Sequence, residues 1–391
     1  MSEAATELSV HKLPLEETHR QHGATFAERE GWLLPAHYGD PRAEYEAVRG
    51  GVGAGLVDLS ARGRIELSGA EAVQFLNGLI TNDVKALEAG GWMDAAFPNA
   101  QGRLLASVRI MRPGAEEKFL FDTEPATHEK VFGILHRFTL AGDFRVRDLS
   151  AETAHFFLQG AQARALIESV LDGALRHERP LEATAFLWRE THQVICATRA
   201  GHEGYDLICD LSGARELWEA LTRAGARPVG QEVFEVLRVE AGVPLYGVDV
   251  SETNVVLEAV REDEAVSYTK GCYIGQEIIA RIHWRGHVAK RLAGLVLDEN
   301  ANLGADARVK TADGREAGRI TSHVFSPRLA RRIALAILKY DYLPPGTEVQ
   351  VVAGERQLNA RVSELPFVRD NLHDGQTGAP GASSDGGETT T

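Results

Sequence analysis

A thiol, an ammonium group and an amide–carboxylate pair lie within eight residues of one another in the stretch KGCYIGQE, residues 270–277. Lys270 precedes Cys272 by two residues, and a nearby cation favours the thiolate, which is the reactive form of cysteine. Glycines at 271 and 275 predict a loop that approaches another group closely. The following QEIIARIHW predicts a helix, whose N-terminus also lowers a thiol pKa. The alternative is a buried structural thiol, as most free cysteines are.

Two charged side chains elsewhere could bind a polar ligand, and each has a structural alternative. Arg238 and Glu240 lie in LRVEAG, near the end of a predicted helix. Either Arg238 and Glu240 form an ion pair that packs the lobes together, or Arg238 binds a ligand carboxylate in a cleft. Asp206, in GHEGYDLICD, either pairs with a turn amide or accepts hydrogen bonds from the N–H groups of a ligand. The sequence around Arg238 and Asp206 does not distinguish between these alternatives.

No metal site is predicted. His283 and His287 are four residues apart, the separation of two ligands on one helical face, but Gly286 lies between them and no third ligand is evident. Cys196 and Cys209 fall in or beside β-rich runs and are interpreted as core residues. Zinc requires paired cysteines or Cys/His clusters at short spacing, so the predicted metal content is none.

Composition restricts the class of protein and its partners. A chain of 391 residues predicts two or three domains. Acidic residues outnumber basic ones, 56 against 42, which argues against a general nucleic-acid or membrane-surface binder. The N-terminus has neither the basic nor the apolar region of a secretory signal, and no apolar run approaches the length of a membrane span. Three scattered cysteines predict a reducing compartment, which we interpret as the cytoplasm.

A repeat predicts the elements that position these side chains. LSGAEA at 67–72 returns as LQGAQA at 158–163, with four of six residues identical. FLFDTEPATHEKVFGIL is echoed in the same order by YDLICDLSGARELWEAL, a strand followed by an amphipathic helix. Two echoes in one order predict a duplicated α+β unit. Two such lobes packed face to face leave a cleft between them for a ligand.

The remainder of the chain has a different pattern. Beyond Arg291, short β-rich runs such as RLAGLVL and RIALAILK alternate with Gly, Pro and Asp turns, which predicts a small antiparallel barrel or sandwich. From Arg369 the chain is rich in Gly, Ser, Asp, Thr and Pro, and it is predicted to be a disordered tail.

Several segments in the same order carry a family resemblance. KGCYIGQE resembles the signature of the YgfZ-like folate-binding proteins, relatives of the glycine-cleavage T-protein (aminomethyltransferase). The segments GLVDLSARGRIELSGAEAVQFLNGLITNDV, LRVEAGVPLYGVDV and AGRITSHVFSPRLARRIALAIL are similar to the beginning, middle and C-terminal barrel of that family. The resemblance covers residues 45–368.

The resemblance implies an α+β fold in which two duplicated α/β lobes surround a central folate cleft, followed by a C-terminal antiparallel β-barrel. The implied domains are a polar N-terminal extension (1–44), a folate-binding region of two lobes (45–288), the barrel (289–368) and the tail (369–391).

The implied cofactor is tetrahydrofolate. Its predicted ligands combine the two ambiguous charged residues with three residues of the motif. They are Asp206, Arg238, Tyr273, Gln276 and Glu277. The resemblance also favours the functional interpretation of the thiol, so that Cys272 and Lys270 are the predicted catalytic residues, in a redox or thiol role.

One departure from the family decides the predicted function. In NAQGRLLASVRI, Ala106 and Ser107 stand where aminomethyltransferases carry a pair of aspartates, one of them catalytic. The resemblance therefore implies an accessory protein, without turnover of its own, for assembly or repair of iron–sulfur clusters in client enzymes, including radical enzymes that modify tRNA. Its expected partners are folate and iron–sulfur client enzymes or assembly proteins, with no direct nucleic acid and no membrane. The alternative is a folate-dependent aminomethyltransferase or demethylase of the T-protein type.

Overall fold

Both strands and helices occur in the described part of the chain, which in this computed structural model comprises residues 10–114, 116–137, 139, 142–171, 183–199, 202–301, 303–304 and 306–368. The predicted tail, 369–391, and the first nine residues of the predicted extension lie outside the described residues.

The strands in chain order are β1 (His11–Lys12), β2 (Thr25–Arg29), β3 (Trp32–His37), β4 (Gly55–Asp58), β5 (Gly63–Ser68), β6 (Gly91–Pro98), β7 (Leu104–Arg112), β8 (Lys118–Thr123), β9 (Arg145–Asp148), β10 (Thr153–Gln159), β11 (Ala183–Trp188), β12 (His192–Arg199), β13 (His202–Asp210), β14 (Arg227–Pro228), β15 (Lys290–Leu297), β16 (Arg308–Lys310), β17 (Glu316–Ser326), β18 (Arg331–Lys339), β19 (Glu348–Ala353) and β20 (Arg356–Ser363). The α-helices are α1 (Glu16–Gln21), α2 (Pro41–Arg49), α3 (Ala72–Asn77), α4 (Pro125–His136), α5 (Ala163–Val170), α6 (Leu211–Ala224), α7 (Gln231–Glu240), α8 (Val256–Ala259), α9 (Glu262–Ala265) and α10 (Gln276–Arg285).

The first lobe is an antiparallel sheet in the order β6-β7-β8-β5-β9. Alternate side chains of β7 point to opposite faces of the sheet. Ala106, Val108 and Ile110 therefore share one face, where they are buried against Leu76 of α3 and Leu135 of α4. Burial of a large aliphatic or aromatic side chain contributes about 1.5–3 kcal/mol, so this layer fixes the sheet to its helices. Ser107 and Arg109 of β7 lie on the other face.

The second lobe repeats the first. Its sheet has the order β11-β12-β13-β10-β4-β14, in which the first five strands correspond to β6-β7-β8-β5-β9. The two repeated glycines have the same left-handed backbone, with φ of +132° at Gly69 and +128° at Gly160. A Cβ at either position would lie 2.4–2.6 Å from a backbone oxygen. The duplication predicted from the sequence is confirmed.

Each lobe also holds a strand that comes from the other half of the chain. Strand β4 immediately precedes β5, yet it pairs with β10 in the second lobe. Strand β9 immediately precedes β10, yet it pairs with β5 in the first lobe. The lobes cannot separate without breaking these ladders. Their inner faces meet through a buried apolar cluster drawn from both sheets, namely Trp92, Met111, Leu120, Ala183, Ala197 and Ile208.

The stretch predicted as a polar extension contains regular structure from its tenth residue onward. Strands β1, β3 and β2 form a small sheet. Asp40 caps α2 by accepting hydrogen bonds from the N–H groups of Arg42 and Ala43. The buried ring of His19 bonds Asp58 of β4 through Nε2 at 2.7 Å. This segment is therefore attached to the second lobe.

The C-terminal part forms a closed barrel in the order β15-β18-β17-β16-β19-β20. Its inward side chains are aliphatic and buried, including Leu295, Val309, Leu338, Val351 and Ala360. The predicted fold, two α/β lobes followed by an antiparallel barrel, is confirmed. Of the helices in the described ranges, none combines the length and the apolar character needed to cross a bilayer.

Candidate functional site

A buried polar network lies where the two sheets face each other. Arg109 of β7 donates from Nη2 to Oδ2 of Asp206 on β13 at 2.6 Å, so that a guanidinium from one lobe meets a carboxylate from the other. His155 of β10 bonds the second oxygen of Asp206 through Nε2 at 2.7 Å. All three side chains are buried. Charges removed from water in this way are tolerated only when they are paired.

The network continues into the first lobe. Arg62 donates from Nε to Oδ1 of Asp122 at 2.6 Å, and Nη2 of Arg109 lies 3.8 Å from Oδ2 of the same carboxylate. The guanidinium of Arg109 also lies over the ring of Trp92, 5.1 Å from its centroid. Two arginines and two aspartates thus balance one another at the lobe interface.

The sequence identified Asp206 but missed its partners. The structure places Asp206 between the lobes, and both of its oxygens accept hydrogen bonds from protein side chains, so its folate-binding role stays a prediction. Arg109 had a visible signal, because it is a charged residue in the middle of a largely apolar strand. Asp122 also had one, since it ends a buried strand in the repeat. His155 carries no comparable signal in LSAETAHFFLQG.

Ala106 and Ser107 point in opposite directions from β7. Ala106 is fully buried on the helix-covered face. Ser107 lies on the same face as Arg109 and opposite Ala96 of β6, and it keeps part of its surface exposed. Of the two positions that lack an aspartate, Ser107 is therefore the one on the cleft side of the sheet.

Glu124, immediately after β8, is a second carboxylate on the cleft side that sequence reasoning missed. Its Oε2 accepts a hydrogen bond from the backbone N–H of Tyr246 at 2.7 Å. Burial raises its pKa, while the positive charge of Arg62 opposes the shift. The residue as a whole nevertheless keeps part of its surface exposed. The signal that could have found it is a charged residue between a buried strand and the proline that begins α4.

Lys270 binds backbone carbonyls of the first lobe. Its Nζ donates to the oxygens of Ile80 at 2.9 Å and Asn82 at 2.6 Å. Burial lowers the pKa of this ammonium group to about 8, and Asp83 opposes the shift. Lys270 therefore ties the KGCYIGQE loop to the turn after α3. The catalytic role suggested for it stays a prediction.

The three cysteines differ in the way the sequence suggests. Cys196 and Cys209 are buried, and burial raises the pKa of both thiols. Cys272 is exposed. An exposed thiol is open to reagents and partners, but exposure alone does not make it catalytic, and its redox or thiol role also stays a prediction.

The remaining motif residues occupy different environments. Tyr273 is 7% exposed, burial raises the pKa of its hydroxyl to about 12, and within the described ranges that hydroxyl has no hydrogen-bond partner. Its ring packs in one cluster with Ala96 and Tyr246. Gln276 begins α10. Glu277 points outward, with 84% of its side chain exposed, and pairs with Arg281. The folate-binding roles of these residues stay predictions.

Arg238 has all five of its N–H donors occupied by the protein. The acceptors are Glu235, which takes two of the bonds, the Val243 carbonyl at 2.7 Å, Asp249 at 2.8 Å and the Ser322 hydroxyl of the barrel at 2.8 Å. These contacts give Arg238 a structural role, but they join α7 to the barrel and not one lobe to the other. A folate contact by Arg238 would require one of these bonds to be exchanged.

Two protein-family models match the chain. Residues 15–262 match the model described as GCVT N-terminal domain. Residues 290–369 match the model described as glycine cleavage T-protein C-terminal barrel domain. The two matches follow the division between the paired lobes and the barrel.

Individual relatives agree over nearly the whole chain. An aminomethyltransferase of Rubrobacter xylanophilus is 34% identical over 95% of this chain and 98% of its own length. An aminomethyltransferase of Geobacillus kaustophilus is 31% identical over 92% and 98%. The crystal structure of the glycine cleavage system aminomethyltransferase T from Bartonella henselae superposes with a TM-score of 0.82 at 25% identity, covering 92% of this chain and 98% of that one.

Proposed function

Because the chain belongs to the glycine cleavage T-protein family, we propose that it is a folate-dependent aminomethyltransferase. In this reaction a one-carbon unit leaves an aminomethyl donor and is bound by tetrahydrofolate. The alternative is the folate-dependent demethylation of a methylated glycine, which also needs a two-electron oxidant to bring the methyl group to the methylene level.

One observation carries the proposal. The similarity to the aminomethyltransferase of Rubrobacter xylanophilus extends over 95% of this chain and 98% of the relative, so that both lobes and the barrel are included. A similarity confined to one domain would support the fold and leave the reaction open.

The iron–sulfur accessory role predicted from the sequence is wrong. The relatives that match at 30–34% identity over at least 92% of the chain are named aminomethyltransferase. The prediction depended on the absence of aspartates at positions 106 and 107. Two positions along one strand are a narrow basis, because a cleft receives side chains from several strands.

Tetrahydrofolate as the cofactor agrees with the family to which the chain belongs. We place it in the cleft between the lobes. The Tyr273 hydroxyl is a buried polar group without a protein partner among the described residues, and the partly exposed Ser107 lies on the cleft side of the first sheet. A pterin ring carries several N–H donors and acceptors, which such groups can satisfy. The cofactor supplies the amine that receives the one-carbon unit.

Within the family, the motif at 270–277 supports a place on the YgfZ-like branch. We propose that the chain belongs to this subgroup and that it uses the exposed thiol of Cys272. The cytoplasmic location expected from the three scattered cysteines also stays a prediction.

The proposal is tested with the purified full-length chain and tetrahydrofolate. Two donors are compared, an aminomethylated carrier protein and a methylated glycine supplied with a two-electron oxidant that brings its methyl group to the methylene level, and the formation of methylene-tetrahydrofolate is measured with each. Turnover with the carrier supports the aminomethyltransferase, and turnover with the methylated glycine alone supports the demethylase. Folate binding without turnover on either donor contradicts both.

A further inference from the structure

The pairing of β7 with β8 brings a carboxylate next to the position that lacks one. In this antiparallel ladder Arg109 is opposite Asp122, and Val108 is opposite Thr123. Continuing the register by one residue places Ser107 opposite Glu124. Residues directly opposite each other point to the same face, with Cβ atoms about 4.5–5.5 Å apart. Glu124 is therefore on the cleft side, beside Ser107.

The geometry of Glu124 leaves one oxygen available. The residue is extended, with φ −68° and ψ 147°, and it precedes the proline that begins α4. A side chain at this position commonly caps its own helix, but Glu124 makes no such bond. Its Oε2 instead accepts a hydrogen bond from the backbone N–H of Tyr246. Among the described residues, no hydrogen-bond donor reaches Oε1.

The other carboxylates of the network are less suited to proton transfer. Asp122 is held by Arg62 and lies beside Arg109, while Asp206 is bonded by Arg109 and His155. Both are 1% exposed or less. A carboxylate paired with arginine is stabilised in its charged form, which makes it a poor base. Glu124 is the residue of this group that keeps part of its surface exposed.

The charges around Glu124 come from several elements. Arg62 lowers its pKa, whereas Asp122 and Glu30, the latter in the turn between β2 and β3, act with burial to raise it. Lys130 of α4 lies 5.9 Å from the centroid of the Tyr246 ring and is paired with the carboxylate of Glu252. A carboxyl group whose pKa is raised toward neutrality is a more effective acid–base catalyst.

We propose that Glu124 is the catalytic carboxylate of the transfer reaction and takes the role that Ala106 and Ser107 cannot perform. This inference rests on the proposed function. The ionised carboxylate takes the proton that the acceptor's secondary amine loses as its nitrogen bonds the methylene carbon of the donor. The bond from that carbon to the donor's ammonium nitrogen breaks, and the amine leaves as a neutral molecule with the electron pair. The acceptor's second secondary amine then bonds the same carbon, the bond from that carbon to the carrier breaks, and the carrier leaves with the electron pair and takes the proton that this amine loses. One carboxylate, one ammonium group and two amine N–H groups are thus converted into a carboxylic acid, free ammonia, a protonated carrier and a methylene bridge, so charge and protons balance.

The first test compares Glu124→Gln with Glu252→Gln, a matched change at an exposed glutamate of the same lobe. Glu124→Gln is expected to lower kcat by about 10²–10⁴-fold, the usual contribution of a general base. It should leave the Kd for tetrahydrofolate within about threefold and the melting temperature unchanged, because the amide still accepts the Tyr246 bond. In the double variant Glu124→Gln with Ser107→Asp, kcat is expected to be at least about tenfold higher than in Glu124→Gln alone, since the new carboxylate projects from the facing position.

The second readout does not depend on turnover. With glutamate labelled by ¹³C at the side-chain carboxyl, the resonance missing from Glu124→Gln identifies Glu124. Its titration midpoint is expected above the ordinary glutamate value of about 4.3. The acid limb of the kcat profile should follow the same midpoint, because the base must be ionised, and the limb should vanish in Glu124→Gln.

The outcomes separate the two proposals. An active wild type with an equally active Glu124→Gln overturns the inference alone, as does a Glu124 resonance that titrates at the ordinary value. If Glu124→Gln loses folate affinity in parallel with activity, Glu124 is a binding residue and the inference is overturned. A wild type that binds folate but transfers nothing overturns the proposed function itself.

Discussion

Replacing Asp206 with asparagine is expected to destabilise the protein by about 3–5 kcal/mol, the usual cost of removing one partner from a buried ion pair. Asp206 has no exposed surface and accepts two short hydrogen bonds, 2.6 Å from Arg109 and 2.7 Å from His155. Asparagine keeps the shape of the side chain but offers one acceptor oxygen where the carboxylate offers two. The amide N–H group must then face one of the two donors, and the charge of Arg109 loses its counter-ion in the lobe interface.

The assay is equilibrium unfolding in urea, followed by far-UV circular dichroism. Glu277→Gln is the matched control, because it also removes a carboxylate that pairs with an arginine. That pair is exposed, with 84% of the Glu277 side chain and 59% of the Arg281 side chain accessible. Exposed pairs contribute at most about 1 kcal/mol. If Asp206→Asn costs no more than the control, the buried network does not hold the lobes together and the reasoning fails.

Two further predictions concern the thiol and the buried arginine. Cys272→Ser should leave the melting temperature unchanged. In the folded wild type, mass spectrometry should show that Cys272 is alkylated faster than Cys196 or Cys209. If Cys272 is protected from alkylation and the serine variant is destabilised, the thiol is structural. Arg238→Met should lower the free energy of unfolding by about 3–5 kcal/mol, because it leaves the buried carboxylate of Asp249 without its arginine. If the free energy of unfolding is unchanged and folate affinity is lost, Arg238 is instead a ligand-binding arginine.

The repeated architecture could be predicted because its signals are local. The turn after β5 and the turn after β10 need a left-handed residue in a crowded place, and Gly69 and Gly160 meet that need within similar hexapeptides. The barrel has a comparable signal in its short strands and turn residues. The exchange of β4 and β9 between the lobes has no such signal, because each strand pairs with a partner that is distant in sequence.

The site was less predictable because its contacts are not local. Arg238 has partners as far as Ser322, 84 residues away, and no pattern around LRVEAG identifies them. Asp206 was identified, but Arg109 meets it from 97 residues away. The functional error arose in a similar way. Reading along β7 revealed the missing aspartates, whereas the glutamate that could replace them comes from the neighbouring strand.

The measurement that tests the central claim most directly is a single turnover with a donor that carries ¹³C in its methylene group. The full-length protein, in excess over the aminomethylated carrier, is mixed with tetrahydrofolate, and the label is followed by NMR. We predict that the label moves from the carrier to tetrahydrofolate with release of one equivalent of ammonia. A label that stays on the carrier while calorimetry detects bound tetrahydrofolate would contradict the account.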